Sequence, residues 1–571
     1  MNQPERWISH VASDSVFLSA VVCAELAVYV PGLGFYSDDW TYLAAFSLSP
    51  DQTIPALFRA VYQPWVWMRP AQELHFVVLY RLFGTDPVGY HVMNGLVLLG
   101  GVLLLHRVLL RLGLPRLPSV AVSLVFALLP HYSTDRFWIV ASGIPLSLFL
   151  YLVSVYSDIR ALRAAGTRYA GWRTLGLVSL LISALTYELF LPLFLLNVLL
   201  YQPWAGLRRT SPEGATHPPL VLLPANLVAL ASVVVFKVLT TVRLGTQRAD
   251  RGALQEALRI GRILFDPDRG EADYGLNLKQ AVWVNYGELG VLLPRMAWRA
   301  IRDHSDRLVL SATAVLVGTI VFVYLCRLAR REEFGEASRA GMLGLAAGGV
   351  VVFWAGYSIF LTNADLQLTA TGVGNRAALA PALGVALTFV GAAGWVSSWA
   401  PRAWWARRSF CLLISLLCSS GLLINGALAT LWSGAYRQES EVLAALRHDL
   451  PTLQQASAVI LDGVCPYVGP AIVFEANWDL AGALRLLYRD VSLTADVVTT
   501  RMRIEENGLV TSIYGMESRY PYEQILLFDY ARRTSHRLRD AGEAREHFRT
   551  RNPDLDNGCP PGHEGVGAAA F

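Results

Sequence analysis

The sequence predicts a polytopic α-helical membrane protein of about 11 transmembrane helices with a small C-terminal extracytoplasmic α/β domain. Three observations predict it. Of 571 residues, 54% are hydrophobic and 16% charged, against about 25% charged in an ordinary soluble domain. The apolar residues gather in runs close to the roughly 20 residues that cross a bilayer. Arginines cluster in every second loop between those runs. The mean hydropathy of +0.40 excludes a mainly soluble or disordered chain. A net charge of +4 is small for this length and gives no reason to expect a nucleic-acid partner. The six cysteines show no metal-binding spacing. Only Cys465 and Cys559 lie in the polar tail, where they are candidates for a disulfide.

The first run, 16–33, follows a short segment with one Arg and one His. No small-residue cleavage site comes after it, so it reads as a retained span rather than a signal peptide. Further runs at 88–110, 117–130, 138–156, 174–187, 189–203, 218–240, 308–326, 341–361, 377–398 and 409–430 complete the count. The pair around Glu188 can also be read as one broken helix. With the N-terminus cytoplasmic, the inner loops hold Arg107, Arg111, Arg116, Arg160, Arg163, Arg168, Arg173, Arg208, Arg209, Arg327, Arg330, Arg331, Arg339, Arg402, Arg407 and Arg408. The short outer segments hold only Arg136 and Arg376. This is the positive-inside asymmetry, and it puts the C-terminus outside. The stretch 241–307 also falls outside. Its amphipathic pieces ALQEALRIGRILF and AVWVNYGELGVLLPRMAW suit the membrane surface, with a further pair of short spans as the alternative.

The tail divides from the membrane unit (1–430) as an α/β domain at 431–545 and a disordered end at 546–571. ASAVILDGV, GLVTSIYG and EQILLFDY read as strands, and VFEANWDLAGALRLLY as a loop leading into a helix near Asp479.

Polar groups recur at the outer ends of the spans. Asp38 and Asp39 follow the first span directly, then Trp65, Trp67 and Arg69. Adjacent residues on a helix point in different directions, so one Asp can face a substrate while the other caps a helix or orients a base. The aromatic residues suit an interfacial belt or a sugar-stacking surface. His131, Tyr132 and Asp135 follow the third span, and Tyr187 with Glu188 lies between the fifth and sixth. Arg243 and Arg248 follow the seventh, and Asn363, Asp365, Gln367, Asn375 and Arg376 the ninth. Singly, each is compatible with snorkelling. Together, carboxylates near arginines at one membrane face can hold a phosphate while a carboxylate handles a proton.

On these residues the chain resembles a family. The first span followed by YSDDWTYL resembles the GT-C superfamily of polytopic glycosyltransferases. More closely, it resembles bacterial members related to the protein mannosyltransferases. RPAQELHFVVLYRLFGTDPVGYHVMNGLVLLGGVLLLHRVLLRLG, TYELFLPLFLL and GVGNRAALAPALG are similar to later segments of that group. The resemblance covers residues 16–200 and, less fully, 340–400. It implies inverting transfer of a sugar from a polyprenyl-phosphate donor to an acceptor at the outer face, with an aspartate of the first outer loop as general base. Asp38 and Asp39 are the matching positions, with Asp39 the preferred base and Glu188 assisting. Arg69, His131, Tyr132, Arg243, Asn375 and Arg376 would bind substrate, Arg376 first among them for the donor phosphate. No cofactor is implied with certainty, and a divalent cation is the one candidate. The chain lacks an identifiable β-trefoil insertion and a WWD-type signature, so the expected acceptor is a lipid or cell-envelope glycan rather than a protein. A flippase for lipid-linked saccharides and a non-catalytic envelope assembly protein are the alternatives. No clear internal repeat supports the flippase.

Overall fold

The computed structural model describes residues 3–62, 66–201, 217–243, 274–303, 307–330, 336–360, 368–453, 457–499, 501–513 and 516–549. Trp65, Arg248, Asn363, Asp365, Gln367, Cys559 and the ALQEALRIGRILF piece lie outside them.

The first helix, α1 (Gln3–Tyr29), ends in a short 3-10 turn at Val30–Gly32. The loop expected on the outer face then folds into α2 (Asp38–Ser47), α3 (Ile54–Val61) and α4 (Pro70–Phe83). Next come α5 (Pro87–Arg111), α6 (Arg116–Leu128), the short α7 (Thr134–Phe137), α8 (Gly143–Ala161), α9 (Gly166–Thr186), α10 (Leu191–Tyr201) and α11 (Leu223–Arg243). Asp86 caps α5 by accepting the Val88 N–H at 3.1 Å, with Pro87 at the first position, where a missing N–H costs nothing.

In the expected surface segment, α12 (Tyr274–Val282) passes through a π-helical stretch, Trp283–Val291, into α13 (Leu293–Asp303). Helices α14 (Arg307–Ala329), α15 (Glu336–Tyr357), α16 (Leu379–Ser397) and α17 (Ala403–Asp449) complete the membrane unit.

Among the described residues, eight helical stretches are long and apolar enough to cross a membrane. They start at Val11, Pro87, Val140, Pro219, Leu308, Arg339, Val373 and Ala403. Arg116–Leu128 and Glu188–Asn197 are apolar but shorter. The chain is therefore a multi-pass membrane protein. Each of the eleven expected runs is largely helical over its described residues, but the full count of eleven spans goes beyond these eight.

Small residues let the helices close on one another. A Cβ on Gly349 would stand 2.5 Å from the Thr388 nitrogen, and one on Gly384 2.3 Å from the Phe353 nitrogen, so α15 and α16 pack backbone to backbone. Buried ion pairs staple other helices. Arg136 meets Glu25 at 3.0 Å, and Asn425 donates to the same carboxylate at 2.7 Å. Arg173 pairs with Asp158, and Arg116 with Asp14. In hydrocarbon such groups are tolerated because each has its partner.

α17 runs on past the expected boundary at 430 to Asp449. Trp432, Ala435, Glu439, Val442 and Leu446 carry its buried face through that point at helical spacing, with no proline to stop it. The tail domain then begins with β1 (Ala458–Asp462) and a small hairpin of β2 (Tyr467–Val468) and β3 (Ala471–Ile472). α18 (Asn477–Tyr488) leads to β4 (Thr494–Val497). β5 (Arg503–Glu505), β6 (Gly508–Ile513) and β7 (Met516–Pro521) form an antiparallel sheet. β8 (Ile525–Asp529), β9 (Thr534–Arg537) and α19 (Ala541–Arg549) follow. The main sheet has the order β4-β1-β8-β9, with β1 parallel to both neighbours. This is the small α/β unit that the alternating strand and helix patterns lead one to expect. Helix α19 starts before the expected disordered end and includes its first residues, 546–549.

Candidate active site beneath the C-terminal domain

The Asp pair opens α2 immediately after Ser37. Ser37 is buried and has φ 48°, a left-handed value that a non-glycine residue seldom adopts. Such strain persists where the surroundings over-determine it, often at functional sites.

Asp39 is 2% exposed. Its carboxylate accepts the Tyr36 N–H and the Val140 N–H, each at 2.9 Å. The indole of Trp138 donates to the Tyr36 carbonyl at 3.1 Å. Asp39 thus ties the end of the first span to the turn before α8. Asp38 is half-buried, and its one hydrogen bond among the described residues comes from the Ser37 hydroxyl at 3.5 Å. Burial pushes the Asp38 carboxyl up, and the charge of Arg376 pulls it back.

Arg376 is the centre of the group. It lies half-buried in the 3-10 turn Val373–Ala378, 5.6 Å from the centre of the Trp138 ring, and no ion pair engages it among the described residues. Its charge acts on three carboxyl groups from separate parts of the chain: Asp38, Asp135 and Glu475. Asp135 is fully buried, and neither of its carboxyl oxygens has a hydrogen-bond partner among the described residues. Burial drives its carboxyl well up, against Arg376 and Arg136.

Asn375 positions Arg376. Its oxygen accepts from the Ser133 hydroxyl at 3.2 Å and the Thr134 N–H at 3.1 Å. Its amide donates to the carbonyls of His131 and Ala370, both at 2.9 Å. Its two donors and its acceptor oxygen are all engaged, so it clamps two loops and has no group left for a substrate.

His131 and Tyr132 also differ from the sequence expectation. Both are fully buried. His131 shares a 3.0 Å hydrogen bond with the Asn285 carbonyl, and burial lowers its imidazole to about 4. Tyr132 donates to the Phe126 carbonyl at 2.6 Å. They are packing residues of the loop that carries Asp135. The loop folds back into the protein instead of facing solvent.

A second charged group lies beside the first outer loop. Arg69 precedes α4 and lies over the Tyr187 ring at 3.8 Å. Its Nε donates to Glu188 at 3.1 Å, and Lys237 reaches the same carboxylate at 3.3 Å. Glu188 is therefore the counter-ion of two cations rather than an independent acid or base. Nearby Glu73 is fully buried and accepts the Tyr42 hydroxyl at 3.0 Å. Burial raises its carboxyl to about 8 against that bond and Arg69. Arg243 ends α11, and its side chain is not among those described.

Sequence reasoning missed Lys237, Glu73 and Glu475. Lys237 carried a signal, as a lone lysine within an apolar run and one of only two in the chain. Glu475 carried none, because its place depends on how the tail docks. Asp479 holds the turn before α18 by accepting the N–H groups of Glu475 at 2.7 Å and Ala476 at 3.2 Å. The Trp478 carbonyl accepts the Thr41 hydroxyl at 2.6 Å, and its indole donates to Ser37 Oγ at 3.4 Å. A Cβ on Gly482 would stand 2.6 Å from the Thr41 nitrogen, so α18 lies directly on α2. Glu475 is buried at this junction and accepts the Tyr467 hydroxyl. Burial pushes its carboxyl up, and the charge of Asp38 adds to the effect.

No protein-family model matches the chain, and no curated protein matches it in sequence. Among solved structures it is similar to ArnT from Cupriavidus metallidurans bound to undecaprenyl phosphate, at 14% identity and a TM-score of 0.36. That likeness covers 84% of this chain and 85% of that one. The apo form of the same protein gives 13% identity and a TM-score of 0.37 over 86% and 85%. The chain is also similar to an oligosaccharyltransferase from Archaeoglobus fulgidus tethered with an acceptor peptide. There the identity is 11% and the TM-score 0.39, over 84% of this chain and 63% of that one. Superpositions this loose leave the chemistry to the chain's own residues.

Proposed function

We propose that the chain is an inverting membrane glycosyltransferase of the GT-C kind. It moves a sugar from a polyprenyl-phosphate donor to a lipid or cell-envelope glycan acceptor at the outer face of a bacterial plasma membrane. The observation that carries this reading is Arg376, a cation without an ion pair among the described residues, beside a half-buried carboxyl, Asp38, under the docked tail.

The acceptor hydroxyl attacks the anomeric carbon of the donor. As the new C–O bond forms, Asp38 takes the hydroxyl proton, a role suited to a carboxyl raised by burial. The old bond to the phosphate oxygen breaks on the opposite side, and its electrons leave with the lipid phosphate. A planar, permanently charged guanidinium is well matched to that growing charge, and Arg376 supplies it. Arg69 and Lys237, gathered on Glu188, form a second charged cluster that can steer the donor. The Asp38 carboxylate bears the proton transfer, and Asp39 holds its backbone.

Cys465 is disulfide-bonded, which suits an oxidising compartment and the external tail that this reading needs. The buried ion pairs of the bundle join neighbouring helices and have their partners, which favours a rigid enzyme over a transporter.

The test is transfer by purified protein from a panel of polyprenyl-phosphate sugars, read by mass spectrometry of the lipid products. Wild type should release the carrier phosphate and Asp38→Asn should not. Donor consumption unchanged in Asp38→Asn would remove the mechanism.

A further inference from the structure

A second cluster of chemistry-bearing residues lies in the extracytoplasmic sheet, away from the membrane site. The parallel strands β1 and β8 end on Asp462 and Asp529, which are register partners. Partners in register point to the same face of a sheet. Their residues are only 3% and 6% exposed, so two like charges lie side by side with little water to screen them. His547 arrives from a separate element, α19, and brings Nε2 to 2.9 Å from Asp462 Oδ2. One ligand-capable atom from each of the three residues lies within 4.8 Å of the others. A second imidazole, His536 on β9, has its ring centre 5.1 Å from that of His547.

The carboxylates are held in the manner of metal ligands. Asp462 Oδ1 accepts the Gly463 N–H at 2.7 Å, and Asp529 Oδ1 accepts the Arg532 N–H at 2.9 Å. The other oxygens are engaged by side chains, Asp462 Oδ2 by His547 and Asp529 Oδ2 by the Arg532 guanidinium at 3.3 Å. The Arg532 side chain is 62% exposed and can move into solvent. The position in the fold has its own significance. From β1 the chain passes through α18 to β4 on one side, whereas β8 lies on the other. The strand order thus reverses between β1 and β8, and the crevice at the carboxyl ends of strands at such a reversal is where open α/β sheets bind ligands.

We propose that Asp462, Asp529 and His547, with His536 as the nearest fourth group, form a zinc site that pins α19 to the sheet. Imidazole mixed with carboxylate suits Zn2+, whereas Mg2+ and Ca2+ favour all-oxygen shells. Backbone donors on the outer carboxylate oxygens supply the orienting shell that such sites use. The two adjacent negative charges then become the reason for binding instead of a cost to folding.

The test uses the full-length chain in detergent, stripped with a chelator and titrated with Zn2+, with Co2+ as a visible-absorption probe and Ca2+ as a comparison. Metal content, absorption and thermal unfolding are the readouts, none of which needs transferase activity. The expected result is one Zn2+ per chain, a Co2+ spectrum that Zn2+ abolishes, and a raised unfolding temperature. His547→Gln and Asp529→Asn should each weaken binding by about tenfold or more. His448→Gln, a change at an exposed histidine outside the cluster, should leave binding intact. If Asp529→Asn fails to fold, His547→Gln decides alone. A wild-type chain that binds no Zn2+, or that binds it equally after His547→Gln, overturns the proposal.

Discussion

Asp38 and Asp39 are neighbours in sequence with different surroundings, because successive side chains on a helix diverge. Asp39 spends its carboxylate on two backbone N–H groups, while Asp38 accepts only from the Ser37 hydroxyl among the described residues and feels the charge of Arg376. Asp38→Asn should therefore lower transfer by about 100-fold or more with normal membrane insertion, since general-base contributions are of that size. Asp39→Ala leaves two buried donors without an acceptor and should cost about 2 kcal/mol or more of stability. Thermal unfolding and transfer kinetics of the two variants separate the roles. Loss of activity in Asp39→Ala without loss of stability would make Asp39 the base after all.

Glu73 adds a pH dependence. Its carboxyl is raised to about 8 in the folded protein from an ordinary 4.5, so the folded state favours the protonated form. The stabilisation is complete below about 4.5 and is lost as pH rises toward 8. Wild type should lose thermal stability between pH 5 and pH 8, and Glu73→Gln should flatten that slope. Parallel pH profiles in the two proteins would show that Glu73 ionises normally.

Docking of α18 on α2 is decided by one small residue. Gly482 is where the two backbones meet, so Gly482→Leu must push α18 away from Trp40 and Thr41. The Trp478 contacts and the placement of Glu475 then go with it. The expected outcome is about a tenfold or greater fall in transfer, together with faster hydrogen exchange in α18 and α2 while the transmembrane helices stay protected. Unchanged exchange in both helices would show that the contact is dispensable. Asn375 works similarly between loops, since it joins the turn carrying Asp135 to the turn carrying Arg376. These are contacts between elements far apart in sequence, and no local pattern announces them.

At the scale of the molecule, sidedness is the decisive property. The arginine asymmetry predicts an external tail, and the disulfide at Cys465 suits that expectation. Some of the arginines that make up this asymmetry serve a second purpose, since Arg116 and Arg173 are ion-pair staples to Asp14 and Asp158. Labelling can test the topology directly. In a chain whose four free cysteines are replaced by serine, Ser440→Cys should react with an impermeant maleimide in intact cells and Thr167→Cys should not. Ser37 is too buried to serve as such a reporter. The reverse pattern would put the Asp pair on the cytoplasmic side and end the outer-face mechanism.

The sequence by itself determined the helical membrane character, the run of apolar helices and the α/β nature of the tail. Those features are local, because hydrocarbon thickness demands long apolar runs and strand or helix periodicity is written in consecutive residues. Tertiary structure alone decided which polar residues are free to act. Asn375, His131 and Tyr132 are expected beside Arg376 at one end of the spans, but folding satisfies their polar groups or buries them, while Arg376 is left without an ion pair among the described residues. Glu475 joins the site only because a glycine lets α18 reach α2, and Asp462 meets His547 only because β1 ends beside α19. Hydrogen-bond satisfaction and long-range packing depend on partners tens to hundreds of residues away, which is why the order of residues reveals the helices and only their assembly reveals the site.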